Sequence, residues 1–331
     1  MARPKKVKEV DNQIQVQNNT LFQAIDFISE IAKDKGAAQQ TNCVIKDGIA
    51  VHSNGMTAMG YPIGDLPDCN PHTLNLLSAL KLCNNKETSM TLLENKLVIR
   101  SGGFSATIEC LPDMPTIEPD PPIVPLGQAF TEALGQVSPF SAEGAKKVVL
   151  ASILAKGGCV ASSDSIVITQ AYHGCDLPEM VLPKSFVTAI LNSGKVITQF
   201  GYSGNSCTIW FADNSYIRAQ LYAESWPDID KILNVPSKPQ PLPEGFFKAV
   251  SAIQPFSKSG NVYFEDGCLR SHRDLSEGAS FECVGIQKGP CFNIKELKRV
   301  ESFMKTVDFY SHNCAYGFGN NIRVAVMGVR G

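Results

Sequence analysis

Five histidines, eleven cysteines and 32 carboxylates are the groups from which catalysis or metal binding would have to be built. His173-Gly-Cys175 and His312-Asn-Cys314 each offer an imidazole and a thiol two positions apart, half of a zinc ligand set, and neither has a second half. Gly317-Phe-Gly319 has no third glycine to cradle a phosphate. Gly-x-Ser-x-Gly, Walker A and His-Glu-x-x-His strings are missing. Asp113 and Asp228, each following a proline, suit turn capping better than acid catalysis. The expectation is a protein that is not an enzyme, with no metal and no cofactor. The odd cysteine count and the lack of any Cys-x-x-Cys argue against a disulfide framework and for a reducing, cytoplasmic compartment.

The lysines say more. Net charge is only −2, so any anionic partner must be met by charge gathered on one surface. Three helical stretches with their C-terminal flanks, 71–86, 183–195 and 292–305, carry Lys81, Lys86, Lys184, Lys195, Lys295, Lys298, Arg299 and Lys305 against only Glu296 and Glu301. The other three helical regions carry Lys33, Lys35, Lys248 and Lys258 against Asp26, Glu30, Asp34, Glu132 and Glu244. Lys184, Thr188, Asn192 and Lys195 recur on one helical face, as do Lys295, Lys298/Arg299, Ser302 and Lys305. Asn75, Ser78, Lys81 and Asn85 form a third polar face. Solvated helices ordinarily carry lysine, but they carry acids as well. Lysine mixed with Ser, Thr and Asn suits phosphate contact without base readout, and no interleaved aromatics point to stacked single strands. Lys146 and Lys147 join the set of candidate phosphate contacts.

These residues need helices and sheets to hold them. Apolar spacing predicts helices at about 19–35, 71–85, 127–137, 183–193, 244–256 and 292–304. Pro71 and Pro183 suit early helix positions. Between them lie strand-like runs such as Lys96-Leu-Val-Ile-Arg100, Cys207-Thr-Ile-Trp-Phe211 and Tyr216-Ile-Arg-Ala-Gln-Leu221, separated by turn pairs such as Asp47-Gly48, Asp213-Asn214 and Asp266-Gly267. Each unit is one helix plus about three strands. Helices on one face of largely antiparallel sheets is an α+β architecture. With 44% hydrophobic and 19% charged residues, disorder is excluded, and no apolar run approaches the roughly 20 residues of a membrane helix. The basic N-terminal string has no apolar stretch behind it and reads as a solvated tail rather than a secretory signal.

Proline-rich stretches at 111–122 and 226–243 cut the chain into 1–120, 121–240 and 241–331. Glu109-Cys-Leu-Pro-Asp-Met returns 115 positions later as Glu224-Ser-Trp-Pro-Asp-Ile, and Val137-Ser-Pro-Phe-Ser returns 116 positions later as Ile253-Gln-Pro-Phe-Ser. The reading is three copies of one domain, each holding two helix-plus-three-strand units.

In their order, Phe130-x-x-Ala-Leu, Val160-Ala-Ser-Ser-Asp164, Val181-Leu-Pro-Lys-Ser-Phe186, Glu224-Ser-Trp-Pro-Asp-Ile-Asp230, Arg100-Ser-Gly-Gly-Phe-Ser105 and the terminal Val326-Met-Gly-Val-Arg-Gly331 resemble the bacterial DNA polymerase III beta sliding clamp family. The resemblance covers nearly the whole chain. It implies a clamp fold with helices inside and sheets outside a ring, closed by a homodimer around double-stranded DNA without sequence preference. DNA polymerase and the clamp loader ATPase would be the protein partners, with no membrane. It also implies a partner-peptide pocket at Ile153, Leu154, Ser165, Ile166, Val167, Leu233, Met327 and Val329, and a dimer seam near Phe104 and Ile253. Ser165-Ile166-Val167 stands where the family has Gly-His-Arg, and Gly328 and Gly331 replace Pro and Leu. These departures suggest a divergent, bacteriophage-encoded clamp. The rival reading is a β-rich viral structural protein of repeated domains, which predicts no charge bias on helices. A second rival, an enzyme with an unrecognised site, predicts titratable groups converging in a pocket.

Overall fold

The computed structural model describes residues 13–33, 41–83, 87–112, 114–142, 145–274 and 276–329. Lys86 and Asn85, Asp113, Arg330 and Gly331 lie outside the described residues. Seven α-helices form among them: α1 (Asn18–Ser29), α2 (Thr73–Leu82), α3 (Gln128–Val137), α4 (Lys184–Ser193), α5 (Asp230–Leu233), α6 (Phe246–Ile253) and α7 (Ile294–Arg299). Six answer the expected apolar spacings; α5, a single turn, has too few residues to show a period. Pro71 and Pro183 lie just outside the helices: Pro183 immediately precedes α4, and Pro71 precedes His72, the N-cap of α2, its carbonyl accepting from the Cys43 N–H at 3.1 Å.

The longer helices are placed by one apolar stripe. In α1, Leu21, Ala24, Ile25 and Ile28 are wholly buried, at the i, i+3, i+4, i+7 positions of one face. In α3 the stripe is Phe130, Ala133, Leu134 and Val137. The string Val137-Ser-Pro-Phe ends α3 with a 3₁₀ turn at Ser138–Phe140, and its repeat ends α6 with a 3₁₀ turn at Gln254–Phe256. The sequence repeat is therefore a repeat of local structure, with proline opening the turn in both copies.

Chain contacts divide the molecule into two compact units, 1–127 with 188–221 and 128–187 with 222–331. In the first, a four-stranded sheet runs in the order Gln13–Gln17, Glu87–Leu93, Lys96–Ser101, Phe104–Glu109. A seven-stranded sheet runs Val44–Lys46, Ile49–Ser53, Thr57–Pro62, Tyr216–Gln220, Ser206–Phe211, Ile197–Tyr202, Pro122–Pro125. Gly48 (φ +75) closes the first hairpin in the left-handed conformation that the Asp47-Gly48 pair predicts.

The proline-rich segment before Pro122 is anchored by one buried carboxylate. Asp120 accepts from the hydroxyls of Ser203 (2.5 Å), Ser206 (2.7 Å) and Thr208 (2.9 Å) and faces Arg218 at 3.6 Å, while its carbonyl accepts from the Trp210 indole at 3.2 Å. Gly201 lets the segment pass, because a Cβ there would stand 2.3 Å from the Asp120 carbonyl oxygen.

In the second unit, a six-stranded sheet runs Gln240–Pro241, Thr306–His312, Cys314–Phe318, Ile322–Met327, Val167–Pro183, Ser152–Ser163. A four-stranded sheet runs Ser280–Glu282, Cys268–Arg270, Asn261–Glu265, Cys291–Asn293. Phe246, Phe264, Phe292 and Phe309 fill its core, with ring centroids 5.0–5.9 Å apart. All strand pairs among the described residues are antiparallel, as the α+β expectation requires.

Candidate functional site

The hairpin joining Ser152–Ser163 to Val167–Pro183 builds the rim of an apolar pocket in the second unit. Asp164 caps the turn, its carboxylate accepting from the N–H groups of Ile166 (3.0 Å) and Val167 (2.8 Å). Ser165 takes φ +80, which leaves Ile166 at the tip, 47% exposed. The last strand lies alongside, with the Met327 N–H donating to the Ile166 carbonyl at 2.8 Å. Across the opening, Trp226, Pro227, Ile229 and Ile232 come from the second proline-rich segment and α5. The Trp226 indole is fixed by donation to Ser152 Oγ at 3.2 Å. The enclosed volume is about 220 Å³. Ile166, Ile232 and Met327 are each about half-exposed at one mouth. A partner covering all three gains roughly 1 kcal/mol from each, half the value of full burial.

Of the expected pocket residues, Ser165, Ile166, Val167 and Met327 line this cavity. Leu154 and Leu233 lie in the core cluster with Trp226 and Ile229, and Ile153 is fully buried. Val329 departs from the expectation. Its N–H is bonded to the Cys291 carbonyl at 2.8 Å, which draws it into a second recess, of about 760 Å³, beside Tyr263 and Asn313. Val149, Leu150, Trp226, Pro227, Ile229, Ile232 and Cys314 are among the other lining residues. The Trp226-Pro227 string served in the sequence as a repeat, a linker and part of the family resemblance, but not as pocket lining; a lone tryptophan in a proline-rich stretch was the available signal.

The candidate phosphate contacts separate by what their charges face. Lys81, Lys146, Lys147, Lys295 and Lys305 are exposed. The Lys305 ammonium donates to the Asn320 amide oxygen (2.9 Å), and half-exposed Lys298 reaches the Gln254 amide oxygen at 3.2 Å. Lys184 donates to the Ser141 carbonyl at 3.2 Å. Two residues correct the expectation. Lys195 is ion-paired with Asp213, bonded to Ser215 Oγ at 3.0 Å, and sits 4.5 and 4.2 Å from the ring centres of Phe27 and Tyr61. Arg299 is ion-paired with both Asp164 and Glu296. Their cations are already neutralised inside the fold, which spacing on a helical face does not reveal. Around Asp213 burial opposes ionisation, yet the hydrogen bonds from Lys195 and Ser215 outweigh it and hold the carboxyl at about 2.

No family model matches the sequence, and no curated protein matches it. Solved structures do. The DNA polymerase sliding clamp from Pseudomonas aeruginosa with a ligand superposes with a TM-score of 0.78 over 96% of this chain and 99% of that one, at 14% identity. The DNA polymerase III beta subunit from Thermotoga maritima gives 0.73 over 96% and 99%, at 15% identity. The Helicobacter pylori beta clamp in complex with diflunisal gives 0.75 over 96% and 100%, at 16% identity. The chain has the sliding-clamp fold. At such identity the shared property is the backbone path, kept while most side chains differ.

Within that fold the two seam candidates behave differently. Phe104 is half-buried and opens Phe104–Glu109, the outer strand of its four-stranded sheet, so its free backbone edge can pair with another strand. Ile253 is 1% exposed and belongs to the apolar face of α6; the exposed side chain of that segment is Phe256, at 59%. Among the described residues no group of three metal-ligating side chains gathers, and no helix is long and apolar enough to cross a membrane. His173 Nδ1 accepts from the Cys175 N–H at 3.3 Å and its ring meets Phe130 edge-on, while His312 Nε2 lies 2.9 Å from the Pro236 carbonyl.

Proposed function

We propose that this chain is a DNA sliding clamp. Two copies close a ring around duplex DNA, and the ring tethers a replicative DNA polymerase to its template. The observation that carries this reading is the extent of the fold match: 96% of this chain against 99–100% of the length of known clamps. The clamp does no chemistry of its own; processivity comes from topological linkage. In this reading the three thirds, 1–120, 121–240 and 241–331, are three clamp domains, and six domains complete the ring.

The exposed cations Lys81, Lys146, Lys147, Lys295 and Lys305, with Lys184 and Lys298, supply the sequence-independent phosphate contacts. Exposed lysines on flexible stems suit sliding, since each contact can be exchanged for the next at little cost. The pocket mouth formed by Ile166, Ile232 and Met327 receives short apolar peptides from the polymerase and from a clamp loader ATPase, acting in the cytoplasm or in the cytoplasm of a phage host. The outer strand beginning at Phe104 is the first-domain side of the dimer seam.

Light scattering on the purified chain tests the assembly. One chain is 35.9 kDa, and the reading requires a particle of twice that mass at micromolar concentration. A chain that stays monomeric at tens of micromolar contradicts a closed ring of two subunits.

A further inference from the structure

Arg299 lies on the basic face that the phosphate-contact argument singles out, yet its surroundings fit another task. Its guanidinium reaches three acceptors from two nitrogens: Nη1 donates to Asp164 Oδ2 at 2.5 Å and to the Glu296 carboxylate, and Nη2 donates to the Pro139 carbonyl at 3.1 Å. Its central carbon lies 4.8 Å from the Phe140 ring centre. Only a planar five-donor fork serves that set at once. The two carboxylates are 15% and 10% exposed, so the guanidinium is engaged by buried acceptors rather than presented to a phosphate.

The other end of the cluster is the pocket rim. Asp164 is bifunctional: Oδ2 meets Arg299, while Oδ1 accepts from the Ile166 and Val167 N–H groups that set the hairpin turn. Burial disfavours its ionised form, but the Val167 N–H and the Arg299 guanidinium overcome this and hold the carboxyl below its ordinary value. A charged Asp164 is the stronger acceptor for both turn amides. The turn presents Ile166 at the pocket mouth and bonds the last strand through the Ile166 carbonyl.

We propose that Arg299 is a positioning residue for the peptide pocket: through Asp164 it holds the 163–167 hairpin in its receptive form, joining α7 and the turn after α3 to the rim, and it is not a DNA contact. This rests on the clamp reading for the pocket's role, and one arm of the test does not depend on that role.

The full-length chain is compared with Arg299→Gln, Arg299→Lys, Asp164→Asn and the Arg299→Gln/Asp164→Asn double variant. The ligand-free arm is hydrogen exchange at the Ile166 and Val167 amides, read against amides of the α6 core so that global destabilisation is subtracted. Arg299→Gln is expected to speed rim exchange about tenfold, the change expected on losing a charge-assisted hydrogen bond. Arg299→Lys falls between, since an ammonium cannot serve all three acceptors. The second arm titrates a dansyl-labelled acetyl-Leu-Leu-Phe amide. Affinity is expected to fall about tenfold in Arg299→Gln, and no further in the double variant, because both changes cut one link. The third arm is the salt slope of duplex DNA binding, expected to stay as in the wild type. Unchanged rim exchange in Arg299→Gln, or a slope reduced by about 0.9, overturns the proposal. Failure of the peptide to bind the wild-type chain counts against the clamp reading of the pocket, and the exchange arm still decides the role of Arg299.

Discussion

Replacing Lys195 with Gln separates two accounts of the same residue. As a phosphate contact, Lys195 contributes to DNA binding and little to folding. As the structure has it, the ammonium is a structural cation, with its side chain only 20% exposed. It faces Asp213, Ser215 Oγ at 3.0 Å and the rings of Phe27 and Tyr61 at 4.5 and 4.2 Å. Two partly desolvated cation–π contacts are worth about 0.5–1 kcal/mol each. The ion pair adds about 1 kcal/mol once discounted for Asp213, which is 39% exposed. Lys195→Gln should therefore lower unfolding free energy by about 2–3 kcal/mol in urea titration, with the m-value unchanged. Asp213 supplies a second signature. Its folded value of about 2 lies below the ordinary carboxylate value, so it stabilises the fold above that ordinary value, and this stability is lost as pH falls towards 2. The variant should show a flatter acid limb there. The DNA salt slope should not change. Stability within about 0.5 kcal/mol of wild type together with a slope reduced by about 0.9 would make Lys195 a phosphate contact after all.

Asp120→Ala strands the hydroxyls of Ser206 and Thr208 and the Arg218 cation in a buried site, and should cost about 3–5 kcal/mol in urea titration; a loss below about 1 kcal/mol would show that the proline-rich segment is not anchored there. His52 is buried against Thr73 Oγ1 (3.0 Å), and burial lowers its pKa from 6.5 to about 4. Its neutral form folds freely above pH 6.5; as pH falls from there towards 4 the unfolded chain takes a proton that the folded chain refuses, and up to about 3 kcal/mol is lost. Thermal melts of His52→Gln should lack that limb, and an unaltered profile would place the acid sensitivity elsewhere. Met327→Ala removes a half-exposed side chain at the pocket mouth, so labelled apolar peptides should bind about 5–10-fold more weakly while the melting temperature stays put; equal affinity in both proteins would move the peptide site away from this mouth.

What the chain discloses before its structure is what depends on near neighbours. The α1 stripe of Leu21, Ile25 and Ile28, the Asp47-Gly48 turn and the twice-used helix ending at Pro139 and Pro255 are all decided within a few residues. The order of several short strings along the chain pointed to the clamp fold, although identity to known clamps is only 13–16%. Long-range partners are hidden. Lys195 reads like any helix-face lysine until Asp213, Phe27 and Tyr61 are folded around it. Asp120 reads as a linker residue until serines and a threonine 83–88 positions away converge on it. Ser165, Ile166, Val167 and Met327, expected at a pocket from the family resemblance, line one cavity. Trp226 and Ile232 reach the same cavity from a segment whose prolines spoke only of stiffness.

The central claim, a closed ring threaded by DNA, is tested most directly by topology. The chain is assembled on a nicked circular duplex with a bacterial clamp loader and ATP, then passed down a sizing column in about 1 M salt, where the Debye length is about 3 Å and phosphate contacts are screened. The account predicts that the protein stays with the circle and is lost when a single cut linearises the DNA before the column. Equal loss from circular and linear DNA, or equal retention on both, would contradict it.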